Sequence, residues 1–290
     1  MASKIAIAPA KITGRLRVEA FLKLKALKQQ LSPHKGEPLT VFVAGVHRSG
    51  TNMLMDILDA SFETDVFHES DNRAFEGYIM REPEIIRSLV DRSHASVVVV
   101  KALHEAHRMR RLLDEFVPAK GLWMIRYFAD SVNSSLKRWP PNRNKLDAIV
   151  RDRNAGEWRS SGMTDETYRI IKAHYRSDMS IASTIALFWY YRNQLFFDQG
   201  LDRDPRVLAV EYEELVRAPA FFVDRIAFFI GLQASARMKR VSHSESVRKN
   251  PPPDIAPDVT ALCESMQERL TLVARRQMAP TQAVAGAPRA

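Results

Sequence analysis

The chain has 290 residues, 46% of them hydrophobic, so it can bury the core of one large domain with insertions. Its 43 Lys and Arg outnumber 34 Asp and Glu, and the net charge of +9 indicates an anionic partner such as nucleic acid, an acidic membrane surface or a phosphorylated cofactor. The single cysteine, Cys263, excludes an internal disulfide and a Cys/His zinc cluster. Without the apolar core of a signal peptide or a stretch of about 20 apolar residues, the sequence predicts a cytoplasmic protein.

Residues 1–36 are predicted to form a basic amphipathic helix and a linker. Between residues 14 and 31, apolar side chains recur at helical spacing, largely surrounded by Arg and Lys. The apolar positions are Leu16, Phe21, Leu24, Leu27 and Leu31. Two interpretations are open: a helix packed on the domain with a solvated basic side, or peripheral contact of the helix with an anionic membrane.

Residues 37–277 are predicted to form one α/β domain, because short apolar runs alternate with helical segments. The predicted strands are TVFVAG, TDVF, SVVVV, GLWMIR and RVLAVEY. The β-branched run of the third is typical of a strand covered on both faces, so we expect a three-layer sandwich with a central, mostly parallel sheet. Residues 140–180 are polar and Arg-rich and predict an insertion, followed by a helix over about 181–200. Residues 278–290 are predicted to be disordered.

The stretch LTVFVAGVHRSGTNMLMDIL, residues 39–58, predicts a P-loop-like first βα turn, with Gly45 and Gly50 at the expected spacing. In a GxxxxGK[ST] loop, backbone N–H groups hold an anion, the lysine neutralises distal phosphates, and Ser or Thr binds magnesium. Here Thr51 and Asn52 stand at the lysine and magnesium-ligand positions. The loop can still bind an anion at the helix N-terminus, but it lacks two groups that an ATPase or GTPase needs.

The segment RSGTN, Arg48 to Asn52, resembles the first loop of the sulfotransferases that use 3′-phosphoadenosine 5′-phosphosulfate (PAPS), which commonly reads like RSGTT. The resemblance implies that the loop holds the 5′-phosphosulfate of the donor. It also implies that no metal is required, because this donor carries no β,γ-diphosphate. The loop residues that it assigns to donor binding are His47, Arg48, Ser49, Gly50, Thr51 and Asn52.

A second segment, WMIRYFADSVNSSLKRW, resembles the family's 3′-phosphate site, with Arg126 at a strand end and Ser134 eight residues later. Asp130 also matches, whereas residues 127–129 replace the family's usual Asp-Pro-Arg. An arginine fork and a helix hydroxyl suit a terminal phosphate, although an ordinary strand-end arginine is the alternative. Residues 207–232 look like the family's late strand and following helix, mostly at packing positions.

Transfer of a sulfuryl group to a hydroxyl needs a base, positive charge around the moving group and in-line positioning. We expect these groups at the carboxyl ends of the parallel strands. Several branches of the family carry a catalytic Glu after the second strand, which implies Glu69 as the base and His68 as the runner-up. Alternatively, Glu69 is a structural partner of Arg73 or Arg48.

The segment VVVVKALHEAHR resembles the family's Lys-Thr-His stretch and implies Lys101 as a cation for the departing or bridging oxygen, with Arg48 in a similar role. His104 is displaced by one residue, and a solvated strand-end lysine is the alternative for Lys101. Sulfotransferases often return a basic loop over the 3′-phosphate, which implies that Arg248 and Lys249 close the donor site. A solvated charge pair is the alternative there.

Together the resemblances, which reach from about residue 40 to 275, imply in-line sulfuryl transfer from PAPS to a hydroxyl of a carbohydrate, lipid or small metabolite, with a carboxylate base and no metal. Residues 140–180 are then expected to cap the acceptor pocket. The alternative is a magnesium-dependent P-loop kinase or NTPase with a degenerate loop. Scattered charge without interleaved aromatic residues argues against nucleic acid as a partner. The sequence leaves the oligomeric state open.

Overall fold

The structure is a computed structural model that describes residues 9–138, 144–240 and 247–279. Its strands are β1 (Leu39–Gly45), β2 (Thr64–Phe67), β3 (Phe75–Glu76), β4 (Ile79–Met80), β5 (Val97–Lys101), β6 (Ala119–Ile125) and β7 (Val207–Glu211). Five of these form a sheet in the order β2-β5-β1-β6-β7, and each neighbouring pair is parallel. The carboxyl ends of these five strands therefore lie at one edge of the sheet.

Each of the five predicted strands coincides with a strand of this sheet. In the register of the central strand, Val41 lies opposite Val99 of β5 and Lys120 of β6. The antiparallel hairpin of β3 and β4 was not predicted, because a strand of two residues carries no periodic pattern.

Helices connect the strands and also precede β1 and follow β7. They are α1 (Pro9–Leu31), α2 (Thr51–Asp59), α3 (Pro83–Asp91), α4 (Met109–Glu115), α5 (Phe128–Arg138), α6 (Asn144–Arg151), α7 (Asp165–His174), α8 (Ile181–Asp198), α9 (Tyr212–Arg217), α10 (Pro219–Phe229) and α11 (Pro257–Met278). Short 3-10 helices cover His104–Arg108, Arg153–Arg159 and Met238–Arg240. Within the described ranges, none of the helices combines the length and the apolar character that a bilayer crossing requires.

Apolar side chains cover the sheet on both faces. In β1, Val41 and Val43 join the core beneath α2, α9 and α10, whereas Phe42 and Ala44 join the core beneath α4, α5, α8 and α11. Successive side chains of a strand point to opposite faces, so a strand that is apolar at every position needs helices on both sides. The predicted three-layer α/β sandwich is confirmed.

The polar stretch at 140–180 contains α6, a 3-10 helix and α7 in its described part, and residues 139–143 lie outside the described residues. The helix expected after it is α8, whose first turn is capped by Ser180, since the Ser180 hydroxyl accepts a hydrogen bond from the Ser183 N–H. Of the tail predicted to be disordered, residues 280–290 also lie outside the described residues. Met278 itself ends α11 and is 8% exposed.

Helix α1 packs against the amino end of β2, but not through the predicted leucines. Phe21 contacts Phe62 edge-on, with ring centroids 4.9 Å apart. Lys25 is 4% exposed, and its Nζ donates to Asp59 Oδ1 at 2.6 Å and to Thr64 Oγ1 at 3.1 Å. Three leucines of the predicted apolar face are instead exposed: Leu24, Leu27 and Leu31. Periodicity could not reveal this, because the docked side contains a lysine whose hydrogen-bond acceptors come from other elements.

Candidate active site

The edge formed by the carboxyl ends of the strands gathers the predicted residues. In the order of the sheet, β2 is followed by Glu69, β5 ends at Lys101, β1 leads into loop 46–50, β6 is followed by Arg126, and β7 by Tyr212. In open α/β sheets, ligands bind at this edge, where neighbouring crossovers leave on opposite faces. β1 is such a point here, because it lies between β5 and β6.

Two glycines allow the loop between β1 and α2 to turn tightly. Gly50 is the N-cap of α2 and has φ 96° and ψ 13°, a left-handed conformation that disfavours other residues. A Cβ at Gly50 would lie 2.3 Å from Tyr212 Cδ2, and a Cβ at Gly45 would lie 2.5 Å from the Met124 carbonyl oxygen. Both positions therefore need glycine for space as well as for conformation.

The same loop has groups ready to bind an anion. Ser49 is 1% exposed, and its Oγ has no hydrogen-bond partner among the described residues. The N-cap residue, Gly50, has no side chain that could accept a hydrogen bond from the first turn of α2. The free N–H groups at a helix start carry partial positive charge, so an anion placed there would be stabilised. The loop can hold a phosphate or sulfate group.

The two sequence motifs meet at Arg48. Its Nε donates to Ser134 Oγ at 2.9 Å, and its carbonyl oxygen accepts from Arg126 Nη1 at 2.9 Å. Burial lowers the pKa of Arg48, and the positive charges of Arg126 and Arg138 lower it further. Cations this close repel one another, and a bound anion would relieve that repulsion.

Arg138 was missed by the sequence analysis. It stands four residues after Ser134 in α5, a spacing that places two side chains on the same side of a helix. That spacing is the signal that could have found it. The two motifs together supply one hydroxyl and an arginine cluster, defined as Arg48, Arg126 and Arg138.

Lys101 joins two other predicted residues. Its Nζ donates to Glu69 Oε2 at 2.5 Å and to Asn52 Oδ1 at 2.7 Å, and the residue is 3% exposed. The alternative of a solvated strand-end lysine is therefore wrong. Asn52 occupies the magnesium-ligand position of the loop, yet its oxygen binds the lysine. An ammonium group from a neighbouring strand thus contacts Asn52, the residue next to Thr51.

Glu69 pairs with Lys101 rather than with Arg73, which was one suggested structural partner. Arg73 instead forms an ion pair with Asp71, with Nη2 and Oδ2 2.6 Å apart. His68 is half-buried, and its backbone carbonyl accepts from the Asp71 N–H at 2.8 Å. The structure therefore brings Glu69 together with Lys101, and His68 precedes Glu69 in the chain.

A stack of rings connects the loop with the stretch at 140–180. His47 and His104 face each other with Nε2 atoms 3.3 Å apart. Trp158 stacks on His104 with ring centroids 4.0 Å apart and lies 5.0 Å from His47. Its neighbour Glu157 has φ 52° and ψ −136°, an unfavourable conformation for a residue with a side chain. A strained backbone thus places Trp158 against the anion-binding loop.

Arg192 of α8 binds the backbone next to two rings of this stack. The sequence analysis did not identify this residue. It is 1% exposed, and it donates from Nη1 to the Trp158 carbonyl at 3.1 Å and from Nη2 to the Leu103 carbonyl at 2.9 Å. Burial lowers the pKa of Arg192 to about 10. Burial, followed by the charge of Arg192, lowers the pKa of His104 to about 4, and burial lowers the pKa of His47 well below its ordinary value. Both rings are therefore neutral near pH 7.

The basic loop before α11 returns to α5, close to the second motif. The Arg248 N–H donates to Asp130 Oδ2 at 2.9 Å, and Lys137 Nζ donates to Asn250 Oδ1 at 2.5 Å. Arg248 and Lys249 are exposed residues, and the Arg248 guanidinium lies over the Tyr127 ring, 5.6 Å from its centroid. The loop is thus anchored beside the arginine cluster through its backbone, with its cationic side chains on the outside.

A family model described as "Sulfotransferase domain" matches residues 38–251. The match spans both anion-binding motifs and the strand-end residues Glu69 and Lys101. No curated protein sequence matches the chain.

Solved structures of sulfotransferases are similar to the chain at low identity. A sulfotransferase from Alicyclobacillus acidocaldarius is 16% identical, with 84% of this chain and 96% of that chain covered and a TM-score of 0.47. The sulfotransferase domain of a Synechococcus olefin synthase is 15% identical, with 84% and 96% covered and a TM-score of 0.46. A mouse sulfotransferase complexed with PAP is 13% identical, with 85% and 90% covered and a TM-score of 0.45. At this distance the family model, rather than any one structure, identifies the chain.

Proposed function

Because the chain belongs to the sulfotransferase domain family, we propose that it transfers the sulfuryl group of PAPS to a hydroxyl of an acceptor. The observation that carries the proposal is the junction of two anion-binding motifs, in which Arg48 Nε lies 2.9 Å from Ser134 Oγ. Two separate anionic groups on one ligand require two such sites side by side. The family assignment does not favour the alternative of a magnesium-dependent kinase or NTPase.

The residues present fit the donor. Ser49 Oγ is buried and lacks a partner within the described residues, and a phosphosulfate oxygen supplies one. The 5′-phosphosulfate lies on the N–H groups at the start of α2 in this proposal. The 3′-phosphate lies against Arg126, Ser134 and Arg138, where its charge offsets the repulsion among the guanidinium groups.

The returning loop closes the 3′-phosphate site in this proposal. Its backbone is held beside α5, because the Arg248 N–H donates to Asp130 Oδ2. The side chains of Arg248 and Lys249 are exposed, so both can turn toward a phosphate bound on the arginine cluster. The loop then adds two positive charges from the solvent side of the site.

When bound, the donor supplies the sulfuryl group, and its transfer leaves adenosine 3′,5′-bisphosphate. Glu69 accepts the proton of the acceptor hydroxyl in this proposal, using Oε1, since Oε2 is bound to Lys101. The Lys101 ammonium stabilises the negative charge that develops on the bridging oxygen, and Asn52 orients it from the loop. Each of these groups reaches the site from a different strand end.

The acceptor lies where the stretch at 140–180 meets the loop. Trp158 forms one wall of this region, because its ring stacks on His104 at 4.0 Å. Arg192 fixes that wall through the Trp158 carbonyl. The neutral rings of His47 and His104 make this side of the site less polar than the arginine cluster. A carbohydrate, a lipid and a small metabolite all remain candidate acceptors.

Calorimetry tests the donor site with three ligands: adenosine 3′,5′-bisphosphate, ATP with magnesium, and a single-stranded oligonucleotide. The bisphosphate is measured both in buffer with EDTA and in buffer with magnesium. Of the three ligands, we expect only the bisphosphate to bind tightly, and its binding should not require divalent ions. Arg48→Ala and Ser134→Ala should each weaken it about tenfold or more, because a hydrogen bond to a charged group contributes about 1.5–3 kcal/mol.

Arg203→Ala is the matched control, because the Arg203 side chain is 90% exposed, and it should leave the affinity unchanged. Tighter binding of ATP with magnesium would favour the kinase alternative. Unchanged affinity in both site variants would place the donor elsewhere.

A further inference from the structure

Helix α1 presents a leucine stripe, defined as Leu24, Leu27 and Leu31, on the side away from the domain. These side chains are 54%, 51% and 75% exposed. Their spacing of three and four residues places them on one side of the helix. Phe21 and Lys25, on the docked side, are 7% and 4% exposed. The stripe therefore contributes little to the packing of α1 on the domain.

The docked side holds α1 in a fixed orientation. Lys25 Nζ donates to the Asp59 carbonyl at 2.9 Å as well as to its carboxylate. Gln29 Nε2 donates to the carbonyls of Phe62 and Thr64 at 2.9 and 2.8 Å. Rotating the helix to bury the leucine stripe would break these hydrogen bonds. The stripe is thus held on the outside.

Lysines border the stripe on both sides. At 3.6 residues per turn, Lys23 lies beside Leu27 and Lys28 lies beside Leu24 on the helix surface. Both lysines are exposed, and the Lys28 ammonium also lies over the Phe62 ring, 4.6 Å from its centroid. An apolar stripe with cationic borders matches the interface of an anionic bilayer, where leucines reach the acyl boundary and lysines contact the headgroups.

A second copy of the chain fits the stripe less well. If two α1 helices paired through their leucine stripes, Lys23 and Lys28 would occupy the flanking positions of the seam. In a parallel pair Lys23 would face Lys28 of the other copy, and in an antiparallel pair each lysine would face its own counterpart. Both arrangements bring like charges together, whereas an anionic surface neutralises them. The net charge of +9 adds to the attraction.

We propose that the leucine stripe of α1 docks the protein on the surface of an anionic lipid bilayer. The contact is peripheral, with the helix lying in the interface. Helix α1 is anchored at Asp59, the last residue of α2, and at Thr64, the first residue of β2. These lie at the edge of the sheet opposite the candidate active site, so docking leaves that site uncovered. The proposal does not depend on the proposed function.

Co-sedimentation of the full chain with vesicles tests this docking. The vesicles are phosphatidylcholine alone, or phosphatidylcholine with about one-third phosphatidylserine. We expect binding to the anionic vesicles at low salt, weaker binding at high salt and little binding to the neutral vesicles. Replacing the three leucines together by serine should lower the fraction bound by about tenfold or more. Lys23→Glu with Lys28→Glu should remove the preference for phosphatidylserine.

Leu272→Ser is the matched control, because Leu272 is a 67% exposed leucine of α11, and it should bind like the wild type. Circular dichroism confirms that each variant is folded. Absence of wild-type binding to anionic vesicles, or unchanged binding of the triple serine variant, would overturn the proposal. A dimer in light scattering that the triple variant abolishes, without vesicle binding, would identify a second copy as the occupant instead.

Discussion

Lys101 holds Glu69 and Asn52 at 2.5 and 2.7 Å and so links three crossovers through one ammonium group. The sequence identified Glu69 and Lys101 separately, each at the end of a predicted strand. Their contact could not be predicted from the residues alone, because it requires β2 and β5 to be neighbours in the sheet.

Glu69→Gln should slow turnover by about 10²–10⁴-fold, because the amide cannot accept the proton of the acceptor hydroxyl. Affinity for adenosine 3′,5′-bisphosphate should change little, since the variant keeps the shape of the side chain and does not touch the arginine cluster. Turnover is measured as formation of the bisphosphate, with an acceptor found by mass-spectrometric screening of extracts.

Glu76→Gln serves as the control for this variant, since the Glu76 side chain is 82% exposed, and it should keep wild-type turnover. Full activity in the Glu69 variant would assign the base to another residue, with His68 the first to be tested.

At the scale of secondary-structure elements, the apolar pattern of the sequence predicted the strands of the main sheet but missed the two-residue strands and the short 3-10 helices. Most of the sheet strands were predictable because their runs are largely apolar, as in β5, whereas β2 (TDVF) has only two apolar residues in four. The two-residue strands of the hairpin and the 3-10 helix at Arg153–Arg159 carry no comparable pattern. Trp158 lies in the stretch that was expected to cap the acceptor pocket, but its contact with His104, next to the strained Glu157 backbone, became visible only in the structure.

The orientation of α1 illustrates the same limit. Helical spacing correctly predicted a helix but not which side would dock, because Lys25 is buried and Leu31 is exposed. Burial of the ammonium lowers the pKa of Lys25, and the nearby Asp59 carboxylate opposes this shift. A buried lysine with three hydrogen bonds thus anchors the helix, whereas the pattern predicted that the leucine side would pack on the domain.

Lys25→Ala should lower the free energy of unfolding by about 1–3 kcal/mol, since it removes hydrogen bonds made by a charged donor. Hydrogen exchange should become faster in α1 than in the central strands. Urea denaturation and exchange monitored by mass spectrometry measure the two effects. Lys23→Ala, at an exposed position of the same helix, should change stability by less than about 0.5 kcal/mol. An equal decrease in the free energy of unfolding in Lys25→Ala and Lys23→Ala would show that Lys25 does not anchor the helix.

At the scale of the whole molecule, the strand order turns separate motifs into one site. β1 lies between β5 and β6, so its loop meets Lys101 on one side and Arg126 on the other. The family resemblance implied that both motifs hold one donor, but neither the resemblance nor the residue spacing gave the order of the strands. Arg192 became visible only in three dimensions, because the Trp158 and Leu103 carbonyls that it binds are distant in the chain.

Stability against acid should depend on the ring stack. The pKa of His104 is lowered to about 4 in the folded protein, whereas an unfolded histidine titrates near 6.5. Between these pH values His104 binds more protons in the unfolded chain than in the folded chain. The contribution of the neutral His104 to the free energy of unfolding is therefore complete above about pH 6.5 and is lost as the pH falls toward about 4. Burial raises the pKa of Glu105, which acts in the opposite direction over part of this range.

The difference between wild type and His104→Gln isolates the histidine, since both proteins keep Glu105. We expect the melting temperature of the wild type to fall more steeply than that of the variant between about pH 6.5 and 4, because the variant lacks one of the imidazoles whose pKa is lowered by burial and by Arg192, while His47 and His107 are present in both proteins. Differential scanning calorimetry at closely spaced pH values measures both curves. His34→Gln, at an exposed histidine, should follow the wild-type curve. Parallel curves for wild type and His104→Gln would mean that His104 is not held neutral by the fold.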